Sequence, residues 1–249
     1  MAEFSELYRK FHEVHQSKAR TEREVDGLVK ALDLSKGQRV LDLACGWGVH
    51  LAELAERGYG PLVGVDAQKE YLERAAERLH PHSFELLLED ARTLNFNAEF
   101  DAVYCLYNTL FAWNDETHLD ILRGVATSLK PGGRFLFDTT NRERVAKSGL
   151  QQSWQHPPGL PWLLRETSFD VHTGDQYFTE HYISSDGHVQ TQTFKRRHYT
   201  LSELVNLFEQ AGLSVIARFG ALDSSPYTLE SPRTILVAEL IKDIEGDLA

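Results

Sequence analysis

The stretch VLDLACGWGVH (residues 40–50) joins a short apolar run to a turn that contains two glycines. Leu51, Leu54 and Ala55 then recur at the spacing of a helix, and Gly58 suits its C-terminal cap. The stretch therefore predicts a buried strand, a tight turn and an amphipathic helix in succession. This is the unit from which parallel sheets are built.

The same alternation continues to residue 138. Apolar runs predict strands at 62–66, 84–88, 100–107 and 134–138, with helices at 68–79 and 115–129. Strands separated by helices imply right-handed crossovers and a mostly parallel sheet with helices on both faces. We therefore predict an α/β, doubly wound fold.

The pattern changes between residues 141 and 199, where helical periodicity disappears. Three β-type runs, at 162–171, 176–184 and 188–199, predict an antiparallel meander inserted into the parallel fold. Helix returns after Thr200, which forms a predicted capping box with Glu203, and strands at 213–219 and 234–240 follow.

We expect a single domain over residues 1–249, with an N-terminal helical cap at 1–38. The inserted meander at 141–199 follows the fifth strand, so it lies at the carboxyl edge of the sheet, where substrates enter. We interpret it as a lid over the substrate, with a dimer surface as the alternative.

Composition limits the class of protein. The chain has 249 residues, of which 42% are hydrophobic and 25% charged, a profile typical of soluble globular proteins. The formal net charge of −11 disfavours nucleic acid as a partner. Cys45 and Cys105 show no zinc spacing, and neither a signal peptide nor a membrane span is evident. We expect a cytoplasmic monomer or homodimer, without a metal or a structural disulfide.

The turn after the first strand favours a ligand that carries a positive charge. Ligands of open parallel sheets bind outside the carboxyl ends of the strands, and Gly46 and Gly48 would allow close approach. A dinucleotide site would need a third glycine where Leu51 stands, and Asp42 would repel a pyrophosphate. For the glycines alone, a turn that binds nothing remains the alternative.

Two further carboxylates follow the next strands. Asp66 ends the second strand, where it would accept hydrogen bonds from ribose hydroxyls. Asp90 follows the third strand, where it would accept the amine of adenine while the Ala91 N–H donates to the ring. Each aspartate has an alternative role as a cap of the next helical turn.

Five stretches in this order resemble the class I S-adenosylmethionine-dependent methyltransferases, in particular the bacterial small-molecule subgroup. They are VLDLACGWGVH (40–50), VGVDAQKEYLERA (63–75), LLLEDARTL (86–94), FDAVYCLYNTLFAW (100–113) and LKPGGRFLFDTTN (129–141). The resemblance implies S-adenosyl-L-methionine as the cofactor. It also implies a Rossmann-like sheet of order 3-2-1-4-5-7-6 with the seventh strand antiparallel.

The resemblance also implies a set of site residues. The implied cofactor contacts are Arg20, Asp42, Ala44, Gly46, Gly48, Asp66, Ala67, Asp90, Ala91 and Leu106. Arg20, placed before a helix, would pair with the cofactor carboxylate, or would be an exposed charge. Two positions depart from the family: Ala44 stands where many members have glycine, and Trp47 is bulky enough to narrow the cofactor slot.

Methyl transfer to a hydroxyl or a protonated amine needs a base. His50, His181 and His198 are candidates by position, and we select His198, with Tyr107 and Asn108, as the catalytic set. We expect transfer to a nitrogen or oxygen of a small molecule. The alternatives are a macromolecular acceptor, RNA or protein, and a regulatory protein that binds the cofactor without turnover. Asn108-Thr109 does not match the Asn/Asp-Pro-Pro-aromatic motif of adenine and glutamine N-methyltransferases, so these acceptors are disfavoured.

Overall fold

The computed structural model of the chain describes residues 6–241, with the side chains of Glu6 and Arg9 left out. Its helices are α1 (Glu6–Val14), α2 (Lys18–Leu32), α3 (Val49–Glu56), α4 (Lys69–Leu79), α5 (Asp115–Ser128), α6 (Arg142–Ser148) and α7 (Leu201–Gln210). Its strands are β1 (Val40–Leu43), β2 (Leu62–Asp66), β3 (Glu85–Leu88), β4 (Phe100–Cys105), β5 (Leu129–Thr140), β6 (Gln151–Gln155), β7 (Trp162–Phe169), β8 (Asp175–Ile183), β9 (Val189–Arg197), β10 (Leu213–Phe219) and β11 (Arg233–Leu240).

Seven strands form the main sheet, in the order β3-β2-β1-β4-β5-β11-β10. The strands from β1 to β5 are parallel, and β11 runs antiparallel to both of its neighbours. Counted within this sheet, the order is 3-2-1-4-5-7-6, so the predicted topology is confirmed. The order reverses beside β1, which places the carboxyl ends of β1 and β4 at the crevice where such sheets bind ligands.

Helices cover both faces of the main sheet and explain why its central strands are mostly apolar. On one face α2, α3 and α4 bury residues such as Leu28, Leu54 and Leu79. On the other face α5 and α7 bury residues such as Leu122 and Phe208. Each large apolar side chain buried in this way stabilises the fold by roughly 1.5–3 kcal/mol. Helices on both faces of the sheet confirm the predicted doubly wound class.

A second sheet, β6-β7-β8-β9, is antiparallel throughout and is inserted between α6 and α7. We call it the inserted sheet. The prediction of three β runs without helix was incomplete, since α6 and β6 precede them. α6 has only seven residues and buries Val145 alone, too few for a periodic signal. β6 is polar and almost wholly exposed, so it lacks the apolar alternation of a half-buried strand.

Helix α1 lies against the inserted sheet. Tyr8 and Phe11 are buried against Leu163 of β7 and Tyr182 of β8. A backbone hydrogen bond from Arg197 N–H to the Phe111 carbonyl (3.0 Å) ties β9 to the segment after β4. The inserted sheet is therefore held beside the carboxyl edge of the main sheet.

The described part of the chain contains neither a candidate membrane span nor a candidate metal site. Over residues 6–241 no helix has both the length and the apolar character required for a bilayer span. In the same range no three His, Cys, Asp or Glu side chains are grouped so as to hold a metal ion. Cys45 and Cys105 are free thiols, both buried.

Candidate active site

A cavity of about 490 Å³ lies at the carboxyl edge of the parallel strands. α1, the start of α2, the loops after β1 to β4, and Arg196 of β9 enclose it. The predicted site residues that line it are Arg20, Asp42, Ala44, Gly46, Asp66, Ala67, Asp90, Ala91, Leu106, Tyr107 and Asn108. Gly48 and His198 are not among its lining residues.

The turn after β1 alternates between ordinary and left-handed backbone. Ala44, Gly46 and Gly48 have φ angles of 64°, 55° and 69°. A Cβ added at Gly46 would meet nothing within 4 Å, so this glycine leaves open space in the cavity. At Gly48 it would lie 3.0 Å from the Ala75 Cβ, so Gly48 permits α3 to pack against α4.

Asp42 lies at the floor of this turn, on β1. It is buried and accepts a hydrogen bond from the Tyr104 hydroxyl at 2.8 Å. Burial raises the pKa of Asp42 to about 7, although the nearby His50 and the Tyr104 hydrogen bond oppose this. A cation bound next to Asp42 would restore its charge.

Asp66 ends β2 and is held by backbone donors. Its two oxygens accept N–H groups of Gly46 and Gln68, each at 2.9 Å. Burial raises its pKa despite these hydrogen bonds. Both contacts orient the carboxylate at the cavity wall, and they show that Asp66 also supports the turn that leads into α4.

Asp90 has the capping role that was the alternative for it, and it also lines the cavity. It caps the short 3₁₀ turn Ala91–Thr93 by accepting the Arg92 N–H at 2.9 Å. The Arg92 guanidinium binds the same carboxylate through two further hydrogen bonds, of 3.0 and 2.7 Å. These contacts with Arg92 lower the pKa of Asp90.

Sequence analysis missed Glu24, which connects three predicted residues. It accepts Arg20 Nε at 2.8 Å, the His50 ring at 3.0 Å and the Tyr107 hydroxyl. Burial alone would raise the pKa of Glu24, but the hydrogen bonds from His50 and Tyr107 lower it to about 2. Arg20 lies in the first turn of α2 rather than before a helix, which puts it one turn from Glu24. That i,i+4 spacing was the available signal.

The end of β4 carries unusual backbone. Tyr107 and Asn108 both have left-handed φ angles, 65° and 63°, which explains why β4 ends before the predicted residue 107. Asp138 of β5 holds them in place: its side chain accepts the Tyr107 N–H at 2.9 Å and its carbonyl the Asn108 N–H at 3.2 Å. Arg233 of β11 binds both oxygens of Asp138, at 2.6 and 2.7 Å. Strained backbone supported in this way is typical of functional sites.

The candidate histidines are dispersed. His198 is buried, and its Nε2 lies 3.0 Å from the Gln176 Oε1. Burial and then the charge of Arg196 lower the pKa of His198 to about 4. His181 bonds Thr191 within the inserted sheet. His50 lines the cavity and contacts Glu24. His12 of α1, which was not predicted, also lines the cavity. Position along the sequence did not separate these cases, because the surroundings of each histidine depend on tertiary packing.

Two tryptophans line the cavity. Trp47 stands edge-on to Tyr71, with ring centres 5.4 Å apart, and it occupies the wall between the glycine turn and α4. The Arg92 guanidinium carbon lies 5.2 Å from the ring centre of Trp113, which also lines the cavity. The bulky residue between the glycines thus forms part of the cavity wall.

The chain resembles known proteins over most of its length. Residues 40–133 match the family described as a methyltransferase domain. The cypemycin N-terminal methyltransferase of a Streptomyces species is 31% identical over 205 residues, which is 82% of this chain and 83% of that protein.

Two solved structures share the fold. The methyltransferase CcbJ from Streptomyces caelestis has a TM-score of 0.78 at 20% identity, covering 91% of this chain and 93% of its own. The S-adenosylmethionine-bound amino pentose methyltransferase CalS10 from Micromonospora echinaspora has a TM-score of 0.69 at 18% identity, covering 96% and 99%.

Proposed function

The chain belongs to the class I S-adenosylmethionine-dependent methyltransferases, and from this we propose that it methylates a nitrogen of a small-molecule acceptor. The acceptor would bind in the cavity between the main sheet and the inserted sheet. In this proposal the inserted sheet and the described part of the helical cap, residues 6–38, cover the acceptor.

One observation carries the proposal: carboxylates that lie on or directly after β1, β2 and β3 line one cavity with Arg20. Asp42 is buried beside the glycine turn and suits the ammonium of the methionine part, and Arg20 suits its carboxylate. Asp66 suits the ribose hydroxyls, and Asp90 with the Ala91 N–H suits adenine. The charges and donors of these groups fit S-adenosylmethionine.

Methyl transfer depends more on the positioning of the two reactants than on a catalytic acid or base. S-adenosylmethionine supplies a methyl carbon attached to positively charged sulfur. The acceptor nitrogen forms a bond to that carbon while the carbon–sulfur bond breaks, its electron pair stays on sulfur, and a proton leaves the nitrogen to water. Holding the two reactants in line is worth roughly 7–11 kcal/mol. Leu106, Tyr107 and Asn108 would form the wall beside the reacting atoms.

Tyr107 would act as a wall rather than as a base. Burial and the hydrogen bond to Glu24 raise its pKa, so the phenol keeps its proton. His198 lies outside the cavity lining, so we leave it out of the catalytic set. An amine that arrives unprotonated needs no base from the protein.

Nitrogen in a small acceptor is supported by the relative and by charge. The cypemycin enzyme is named for methylation of an N-terminus. The net charge of −11 opposes the phosphate contacts that an RNA substrate requires.

The test is calorimetric titration with S-adenosylmethionine, S-adenosylhomocysteine and NAD, followed by an assay of S-adenosylhomocysteine release on matched amines and alcohols. We expect micromolar binding of both sulfur nucleosides, no binding of NAD, and turnover of amines only. Turnover of alcohols instead would move the acceptor to oxygen. Binding of NAD without the sulfur nucleosides, by folded protein, would overturn the cofactor assignment.

A further inference from the structure

Three arginines with described side chains line the cavity, and two of them are already paired with carboxylates. Arg20 binds Glu24 at 2.8 Å, and Arg233 binds both oxygens of Asp138. Arg196 of β9 forms no ion pair with any carboxylate of the described residues. Its guanidinium donates a hydrogen bond to the Tyr8 hydroxyl at 3.0 Å.

Aromatic rings hold Arg196 in place. Its guanidinium carbon lies 5.4 Å from the ring centres of both Phe178 and Phe194, which stack on each other at 4.6 Å. Such contacts fix the side chain and partly remove its water. A guanidinium has five N–H donors, so donors remain for a ligand. Arg196 is half-buried, and a cation in that position with no counter-ion among the described residues is costly unless something negative binds it.

The cavity is also divided by charge. The carboxylates that line it are Asp42, Asp66, Glu89 and Asp90, all on or directly after β1, β2 or β3. Among the residues that the structure describes, the side formed by α1 and β9 contributes no carboxylate to the lining, only polar, aromatic and basic groups that include His12. Enclosure and then the charge of Arg196 lower the pKa of His12 to about 4, in keeping with a positive potential there. The acidic side suits the cofactor.

We propose that the methyl acceptor is an amine that also carries an anionic group, a carboxylate or a phosphate, and that Arg196 binds this group. The inference rests on the proposed function, because the cofactor must occupy the acidic side. Arg196 would act by positioning: the anion holds the acceptor so that its nitrogen faces the wall formed by Tyr107 and Asn108. A planar guanidinium suits either anion, since both accept two parallel hydrogen bonds.

The test compares simple anions with a neutral analogue in protein saturated with S-adenosylhomocysteine. Benzoate, phenyl phosphate and benzamide are titrated calorimetrically into the wild type, Arg196→Gln, Arg196→Lys and Lys195→Gln. Lys195 is the control: it is the neighbouring residue of β9, carries the same charge, binds Asp175 at 2.8 Å and does not line the cavity.

We expect the wild type to bind at least one anion about tenfold or more tightly than benzamide. Arg196→Gln should remove this preference, Arg196→Lys should keep part of it, and Lys195→Gln should keep all of it. The affinity for S-adenosylhomocysteine should not change in any variant. Preference for benzoate indicates a carboxylate acceptor, and preference for phenyl phosphate a phosphorylated one.

Three results would overturn the inference. The first is a wild type that shows no preference for an anion over benzamide. The second is an equal loss in Arg196→Gln and Lys195→Gln, and the third is a loss of S-adenosylhomocysteine affinity in Arg196→Gln that matches the anion loss. The titrations are repeated without the nucleoside. If the wild type binds neither sulfur nucleoside but shows the Arg196-dependent anion preference, the proposed function fails and the anion site remains.

Discussion

Aspartates of one cavity differ in their pKa because their surroundings differ. Burial raises the pKa of Asp42 to about 7, whereas the Arg92 guanidinium lowers that of Asp90. Asp42 therefore has a carboxyl group that is partly protonated near neutral pH and gains its full charge when a cation binds beside it. The ammonium of the cofactor would be that cation.

This predicts that the affinity for S-adenosylhomocysteine falls as the pH falls below about 7. Asp42 in the free protein holds a proton below that pH, and the complex requires it ionised, so binding must release the proton. Affinity should rise with pH by up to about tenfold per unit and level off above about 7. Calorimetry between about pH 5 and 7 measures the slope, because the α-amine of the ligand keeps most of its proton in that range.

The controls are a ligand and a variant. Methylthioadenosine lacks the ammonium, so its affinity should be nearly independent of pH. Asp42→Asn should bind S-adenosylhomocysteine weakly and without the slope. An unchanged slope in Asp42→Asn would assign the proton to another group.

Arg20 is predicted to bind the carboxylate of the methionine part. Arg20→Ala should weaken S-adenosylhomocysteine binding by roughly 10- to 100-fold, the range for a hydrogen bond between charged groups, and should weaken methylthioadenosine far less. Arg23→Ala is the control, because Arg23 is an exposed residue of the same helix. Equal losses for the two ligands would show that Arg20 acts through Glu24 and the shape of the site.

The strands with their turns are the elements that bring these residues together. β5 and β11 are joined at both ends by an arginine–carboxylate pair. At the cavity end, Arg233 binds Asp138, whose side chain is 3% exposed. At the far end, Arg134 binds Glu239 at 2.9 Å, near the surface. Only the first pair supports the backbone of Tyr107.

Arg233→Lys should therefore destabilise the protein by about 2 kcal/mol, because lysine cannot make both hydrogen bonds to a buried carboxylate. It should also lower kcat, since Asp138 would hold Tyr107 less firmly. Arg134→Lys, at the exposed pair, should change stability by less than about 1 kcal/mol. Urea unfolding of both variants measures this, and similar losses in the two would refute a special role for the Asp138 pair.

At this scale the sequence predicted the parallel strands well and the connections poorly. The runs in β1, β2 and β4 are apolar because both faces are covered, so their periodicity is visible. Leu129 was predicted to end the helix and residues 130–133 to form the turn before the strand. They lie in β5 instead, because Leu129 already pairs with Phe100 and the pairing resumes at Arg134 after a register shift. Contacts such as Glu24 with His50 depend on how α2 crosses α3, which no local pattern encodes.

The two sheets share contacts and a cavity in the whole molecule. α1 packs on the inserted sheet, Arg197 hydrogen-bonds the segment after β4, and the cavity takes lining residues from both sides. A ligand that contacts both sides binds only when both are folded. Ligand binding should therefore stabilise the inserted sheet together with the main sheet.

The tryptophans allow this to be tested. Trp154 and Trp162 lie in the inserted sheet, and Trp47 and Trp113 line the cavity. Fluorescence of Trp47→Phe/Trp113→Phe reports on the first pair, and that of Trp154→Phe/Trp162→Phe on the second. We expect one urea transition in both proteins, shifted equally by S-adenosylhomocysteine, by about 2.7 kcal/mol at 100 times its own Kd for each. The contrary result is that the inserted sheet unfolds first, at a urea midpoint that the ligand leaves unchanged. This would show that the sheets fold separately and that the inserted sheet closes over the cavity only as an independent flap.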